Sequence, residues 1–207
     1  MRMKRAVTLI ELLLAMVLMV SIVLAAVSFH ILSSRMFTTT ENVVEILNRM
    51  TLLVDHLHKN MLTVTGDRVS DGISVNATGG VHQLCLRQDM DVNGNENRTP
   101  QDYGDDREVC YVFNTNNADT VFATRTYPAN SVTFEVFDDN GVIDDSRVLS
   151  HQLVDPDGLS IQKQNGGILI SDLAMRKRPG HAEDPKSNPE VNLAEEYFYP
   201  FTHSWGQ

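Results

Sequence analysis

The sequence predicts an α+β protein: one long N-terminal helix packed on an antiparallel β-sheet domain. Three observations carry this expectation. No charged residue occurs from Leu12 to Phe29, and only Ser21 and Ser28 are polar there. Val43, Ile46, Met50, Leu53, Leu57 and Met61 then recur at three- and four-residue steps, the spacing of one helix face. Beyond Gly66, short β-branched and aromatic runs alternate with Asn/Asp–Gly turn signals. Four segments follow: residues 1–6, a basic leader; 7–31, a transmembrane helix; 32–65, its amphipathic continuation; and 66–207, a β-rich globular domain.

The first helical half is membrane-length. At a rise of about 1.5 Å per residue, Val7 to Ile31 covers roughly 37 Å, enough to cross a bilayer with some tilt. Arg2, Lys4 and Arg5 precede it, and no Lys or Arg follows until Arg35. The positive-inside rule places residues 1–6 in the cytoplasm and the bulk of the chain beyond the membrane. Glu11 is the exception within the apolar run. An acidic residue deep in hydrocarbon costs roughly 2.5–3.5 kcal/mol, so a positive charge on a partner subunit is its expected counterpart. A cleaved secretory signal, with small residues at Val23-Leu24-Ala25, and a plain uncleaved anchor are the alternatives.

Past the membrane the helix continues, with Leu47 and Val54 widening the apolar stripe and Gly66 offering a stop. Ser33, Ser34 and Thr38-Thr39-Thr40 mark a place where it is expected to bend or loosen. Strands are expected at Val81–Arg87, Glu108–Phe113, Ser131–Phe137, Leu159–Gln164 and Ile168–Leu173, with a tight hairpin from Gln164 to Ile168. The acidic run Asp138-Asp139-Asn140-Gly141, with Asp144 and Asp145, reads as a hairpin tip. The charged, proline-containing stretch Arg176–Asn192 reads as loop, and the aromatic end around Tyr197, Phe198 and Tyr199 as tied down.

Cys85 and Cys110 lie inside adjacent expected strands. Antiparallel pairing around a loop centred near Asn97 sets them opposite each other, and an export compartment oxidises such a pair. Two buried free thiols are the alternative. The loop they close is the most polar in the chain. In it Asp89, Asp91 and Asn93 alternate before Gly94, which resembles the opening of a calcium loop. Calcium takes about six to eight oxygens, and the alternation turns three side chains the same way. Pro100 stands where a helix–loop–helix site has its bidentate Glu, so closure falls to Glu96, Asp102, Asp105 or Asp106, or to backbone carbonyls such as that of Asn95. A solvated Asx-rich turn accounts for the same residues.

The formal net charge is −10, and −13 without Arg2, Lys4 and Arg5. So acidic a chain is a poor nucleic-acid binder, which needs basic patches. No catalytic motif stands out, and an enzyme is not expected. His56 and His58, two apart on a helix, face different ways, which is poor metal geometry.

The stretch Ala6-Val7-Thr8-Leu9-Ile10-Glu11-Leu12-Leu13-Leu14-Ala15 resembles the processing site of type IV pilins and pseudopilins. In that family a short basic leader ends in a small residue, followed by an apolar residue, Thr, two aliphatics and Glu. The resemblance covers residues 2–30. It implies cleavage by prepilin peptidase between Ala6 and Val7, methylation of Val7, and a Glu11 that meets the N-terminal amine of a neighbouring subunit. Ala6 stands where Gly is usual, and Val7 where Phe or Met is common. The chain is thereby expected to be a minor pilin or pseudopilin, held by one span in the inner membrane with its C-terminal domain periplasmic. From there it would enter a pilus or secretion pseudopilus, at its tip. Its implied partners are other subunits, the peptidase, the inner-membrane assembly platform and secreted cargo. Some pseudopilins also bind calcium in a β-region loop. The alternative from another class is a membrane-anchored, calcium-dependent adhesion protein that never polymerises.

Overall fold

A computed structural model of the chain describes residues 9–65, 72–89 and 106–199, apart from positions 139, 156, 165 and 186. It has one long helix, α1 (Leu9–Met61), and an antiparallel β-sheet domain packed on the helix's C-terminal part. The chain divides into two units, Met1–Glu41 and Asn42–Gln207.

In the first unit the helix is continuous through the Ser/Thr-rich stretch expected to bend or loosen. The hydroxyls of Thr38, Thr39 and Thr40 donate to the carbonyls of Ser34, Arg35 and Met36, each at 3.0 Å, and Ser21 donates to Val17 at 2.8 Å. Each of these four hydroxyls is satisfied by the preceding turn, a bond that leaves the helix continuous and often bends it slightly.

In the second unit α1 buries Asn42, Ile46, Met50, Leu53, Leu57 and Met61. Leu47 departs from the expected stripe and is 48% exposed. One residue turns the helix by about 100°, which carries Leu47 off the face that Ile46 holds against the sheet. The helix also ends earlier than expected. Thr63 Oγ1 caps the Asn60 carbonyl at 2.8 Å, and Val64 forms an isolated bridge with Gln88. Gly66 lies outside the described residues.

The larger sheet has the order β1 (Ile73–Thr78), β2 (Val81–Gln88), β3 (Arg107–Asn114), β6 (Ser131–Phe137), β7 (Ile143–Ser150), every pair antiparallel. β4 (Thr120–Phe122) and β5 (Arg125–Tyr127) form a separate hairpin. In the second sheet β10 (Gly167–Arg176) pairs β11 (Glu190–Phe198) on one side. On its other side lie β8 (Leu153–Val154) and β9 (Ser160–Gln164). The helix stripe meets Leu84, Leu86, Val109, Tyr111, Phe113, Phe134 and Val136 of the first sheet, and Ile168, Ile170, Leu173, Met175 and Phe198 of the second, in one core.

The five expected strands all form, within a residue or two at most ends. The expected hairpin tip also forms: the Asp138 carboxylate accepts from the amides of Asn140 (3.0 Å) and Val142 (2.7 Å), and Gly141 takes φ +71°. Tyr197 and Phe198 are tied down in β11, Phe198 almost fully buried. That strand starts at Glu190, inside the stretch expected to be loop. The rest of that loop is organised by buried Asn188. Its side-chain amide donates to the carbonyls of Arg178 and Ala182, and its Oδ1 accepts from the Arg178 amide.

The β4–β5 hairpin folds over the sheet face away from the helix, where Tyr127 and Phe122 pack on Val81 and Val112. Glu135, buried beneath it, accepts from Arg125 at 2.5 Å and from the Tyr127 hydroxyl at 3.1 Å. Burial first, and then the Glu135 charge, push the Tyr127 pKa up to about 12. The hairpin turns through Ala123 (φ +47°) and Thr124 (φ +75°), a two-residue loop with both central residues left-handed. A β-branched residue is strained there. Thr124→Gly is therefore expected to stabilise the domain by about 1 kcal/mol, raising the melting temperature by roughly 2–4 °C. An unchanged or lower melting temperature would contradict the strain.

Candidate functional site

Two places gather the residues singled out by sequence: the start of α1, and the closed end of the β2–β3 connection. At the first, Glu11 sits in the first turn of the described helix. Around it Leu9, Ile10, Leu12, Leu13 and Leu14 are each at least half exposed, and exposure continues through Leu32. The helix is long and apolar enough to cross a membrane, and none of its most apolar stretch is buried. Acidic groups in a first turn are favoured by the helix dipole. Ala6 and Val7 lie outside the described residues.

At the second place, β2 and β3 pair in a register that sets Cys85 directly opposite Cys110. The sulfurs are bonded, and the Cα atoms are 4.1 Å apart. The expected disulfide is therefore present, on the sheet face turned away from the helix. Cys85, Glu108 and Cys110 are also the one group of potential metal ligands close enough together among the described residues. With both sulfurs in the disulfide there is no thiolate to bind an ion, so this group is not a metal centre. Burial raises the Glu108 carboxyl above its ordinary range, and the Arg87 guanidinium opposite pulls it back.

Below the disulfide the strands run to the polar connection through a knot of hydrogen bonds. Gln88, fully buried, donates to Thr63 Oγ1 (2.7 Å) and to the Asn60 carbonyl and Oδ1 (3.1 Å each), and accepts from Arg107 Nε at 2.9 Å. Arg87 reaches buried Asp106 at 3.5 Å. The Asp89 amide donates to Thr65 Oγ1, and the Thr65 amide to the Arg87 carbonyl. Gly72 comes so close that a Cβ would lie 2.1 Å from the Thr65 carbonyl oxygen. One amide side chain thus ties the end of α1 to both strands that carry the connection.

Of the residues proposed for calcium, two are described: Asp106, which is buried and taken up by Arg87, and Asp89. The Asp89 Oδ1 is buried and has no hydrogen-bond partner among the described residues. Asp91, Asn93, Asn95 and Glu96 lie outside the described residues. His56 and His58 turn apart, as their spacing implied: His56 contacts Tyr111 of β3, and His58 contacts Glu196 and Phe198 of β11.

Sequence reading missed Gln88 and Asn60, and it offered Asp106 to calcium rather than to Arg87. A signal existed for the first. Leu84, Leu86 and Gln88 share one side of β2 by the period of two, so an amide on the inward face needs buried partners. Comparison of the chain with family models, characterised proteins and solved structures finds no match.

Cys85→Ser with Cys110→Ser removes the cross-link over a separation of 25 residues. A loss of roughly 3 kcal/mol in denaturant unfolding is expected. Gln88→Leu takes one buried hydrogen-bond partner each from Arg107, Asn60 and Thr63 and should cost about 1–3 kcal/mol. A neutral result for either would remove that contribution from this account.

Proposed function

We propose that the chain is a minor pilin or pseudopilin-type subunit. In this reading it is cleaved after Ala6, held in the inner membrane by the first half of α1, and then incorporated into a pilus or secretion filament. The observation that carries the reading is the motif Ala6–Glu11 at the head of a helix that is exposed and apolar before residue 33 and packed on an antiparallel sheet after residue 41. Glu11 supplies the register. A carboxylate at membrane depth is costly, whereas the same group beside a neighbour's new Val7 amine is charge-matched, so one axial stagger is favoured over others. The polar, disulfide-closed connection on the globular domain suits a rare subunit that contacts cargo rather than bulk filament.

A calcium site in that connection is part of the proposal. The buried Asp89 Oδ1, without a hydrogen-bond partner among the described residues, and the oxygen-rich sequence after it fit a hard cation. Asp89, Asp91, Asn93, the Asn95 carbonyl and Glu96 would hold it and pin the connection. A rise in melting temperature with millimolar calcium, reduced by Asp91→Asn, is the expected response; no response ends this part of the proposal.

N-terminal sequencing of the mature protein tests the main reading. Val7 as the first residue supports it. An intact N-terminus, or cleavage near Ala25, favours the anchored adhesion protein or a secretory signal instead. Glu11→Ala should be processed normally but enter filaments at least about tenfold less, the effect of about 1.4 kcal/mol. Normal incorporation would sink the register role.

A further inference from the structure

Between α1 and the large sheet, one cluster centred on His56 reaches three strands, β3, β6 and β7. His56 Nδ1 is 2.6 Å from the Tyr111 hydroxyl of β3, and its Nε2 is 3.1 Å from a guanidinium nitrogen of Arg147 on β7. Asn60 Nδ2 donates to the same hydroxyl at 2.7 Å, and the hydroxyl lies 3.1 Å from the His56 carbonyl. The imidazole stands edge-on to Phe134 of β6 at 4.8 Å, and Arg147 lies over that ring at 5.2 Å.

Donor counting favours one arrangement, in which Asn60 Nδ2 bonds the Tyr111 hydroxyl and the His56 carbonyl (2.9 Å) rather than Nδ1 (3.4 Å). Arg147 has only donors, so Nε2 must accept, and Nδ1 must carry the proton of a neutral ring. Nδ1–H then donates to Tyr111, which also accepts from Asn60 and passes its own proton to the His56 carbonyl. Every group is satisfied. A second proton, on Nε2, would face Arg147, setting two cations at hydrogen-bond distance.

We propose that His56 is an acid-sensitive latch, holding edge strand β7 to the helix while neutral and releasing Arg147 when protonated. The groups around the ring are unfavourable to an imidazolium from each side. Tyr111 and Asn60 are neutral, Phe134 is apolar, and Arg147 and nearby Lys59 are cationic. Burial, followed by Arg147 and Lys59, lowers the His56 pKa from its ordinary value, in line with this geometry. The sign follows. The unfolded or released state takes a proton from about pH 6.5 downward, whereas the latched state does not until lower pH. Attachment of β7 is therefore full above that range and weakens as pH falls through it. β7 is an edge strand with residues 144–148 exposed and register breaks at both ends of its pairing with β6.

The test is a histidine NMR titration of the full-length protein in detergent micelles, with His56→Gln assigning the signal among the seven histidines. Nitrogen shifts should report the Nδ1–H tautomer at neutral pH and a midpoint below those of the exposed histidines. Arg147→Gln should move that midpoint up. In hydrogen exchange, protection of the β6–β7 amides should fall by up to about tenfold per pH unit across the transition. The step should vanish in His56→Gln, where a neutral amide can serve both partners. An Nε2–H tautomer, a midpoint at or above those of the exposed histidines, or an identical fall in protection in both variants would overturn the latch. If His56→Gln does not fold, Arg147→Gln alone decides: an unmoved midpoint rejects the proposal.

Discussion

Ile46, Met50, Leu53, Leu57 and Met61 form the stripe on which both sheets close, and each is at most 4% exposed. Fully burying one such side chain is worth about 1.5–3 kcal/mol, so this stripe supplies a large share of what holds the domain together. The stripe also fixes direction. With one helix face committed to the core, the strand registers must present Leu84, Tyr111 and Phe134 in one cross-strand row and Leu86, Val109 and Val136 in the next. A slip by one residue would turn each row to the other side of the sheet. The disulfide, on the opposite side of the same sheet, stands in correct opposition only because that register holds.

The polar interactions are arranged around this apolar commitment rather than within it. Gln88 and Asn60 close one end of the helix–sheet seam, and Lys177 reaches Asn42 (2.6 Å) and Glu45 (3.3 Å) from the loop after β10. Lys177, with Arg49 adding to it, holds the Glu45 carboxyl below its ordinary range. Both places are near the seam's ends, where chain segments leave the sheets and backbone groups lose their ladder partners. Buried amides such as Gln88, Asn114 and Asn188 recur at these exits because one side chain offers both donors and acceptors to several backbone groups at once.

How much of this could be read from the sequence depended on whether a residue advertises its environment locally. The helix stripe, the five strands with β-branched or aromatic runs, and the opposition of Cys85 and Cys110 all rest on periods of 3.6 or 2, and all are seen. β7 was hidden, because Asp144, Asp145, Ser146 and Arg147 carry no apolar alternation; an edge strand needs little, being paired on one side only. β11 was half hidden by Glu190, Glu195 and Glu196, which are kept in a strand by ten-residue β10 alongside. The β4–β5 hairpin lacks the Asn-Gly signature its turn prefers. At the loop and at the helix start, sequence remains the stronger source, since Ala6, Val7, Asp91, Asn93, Asn95 and Glu96 fall outside the described residues.

The hydroxyls of Ser21, Thr38, Thr39 and Thr40 have a consequence beyond keeping the helix unbroken. Each is bonded to its own backbone four residues back, so each side chain meets its surroundings with its proton already engaged. Such a surface asks nothing specific of its solvent. Around these four hydroxyls, hydrocarbon, detergent or the flank of another helix can replace one another without stranding their protons.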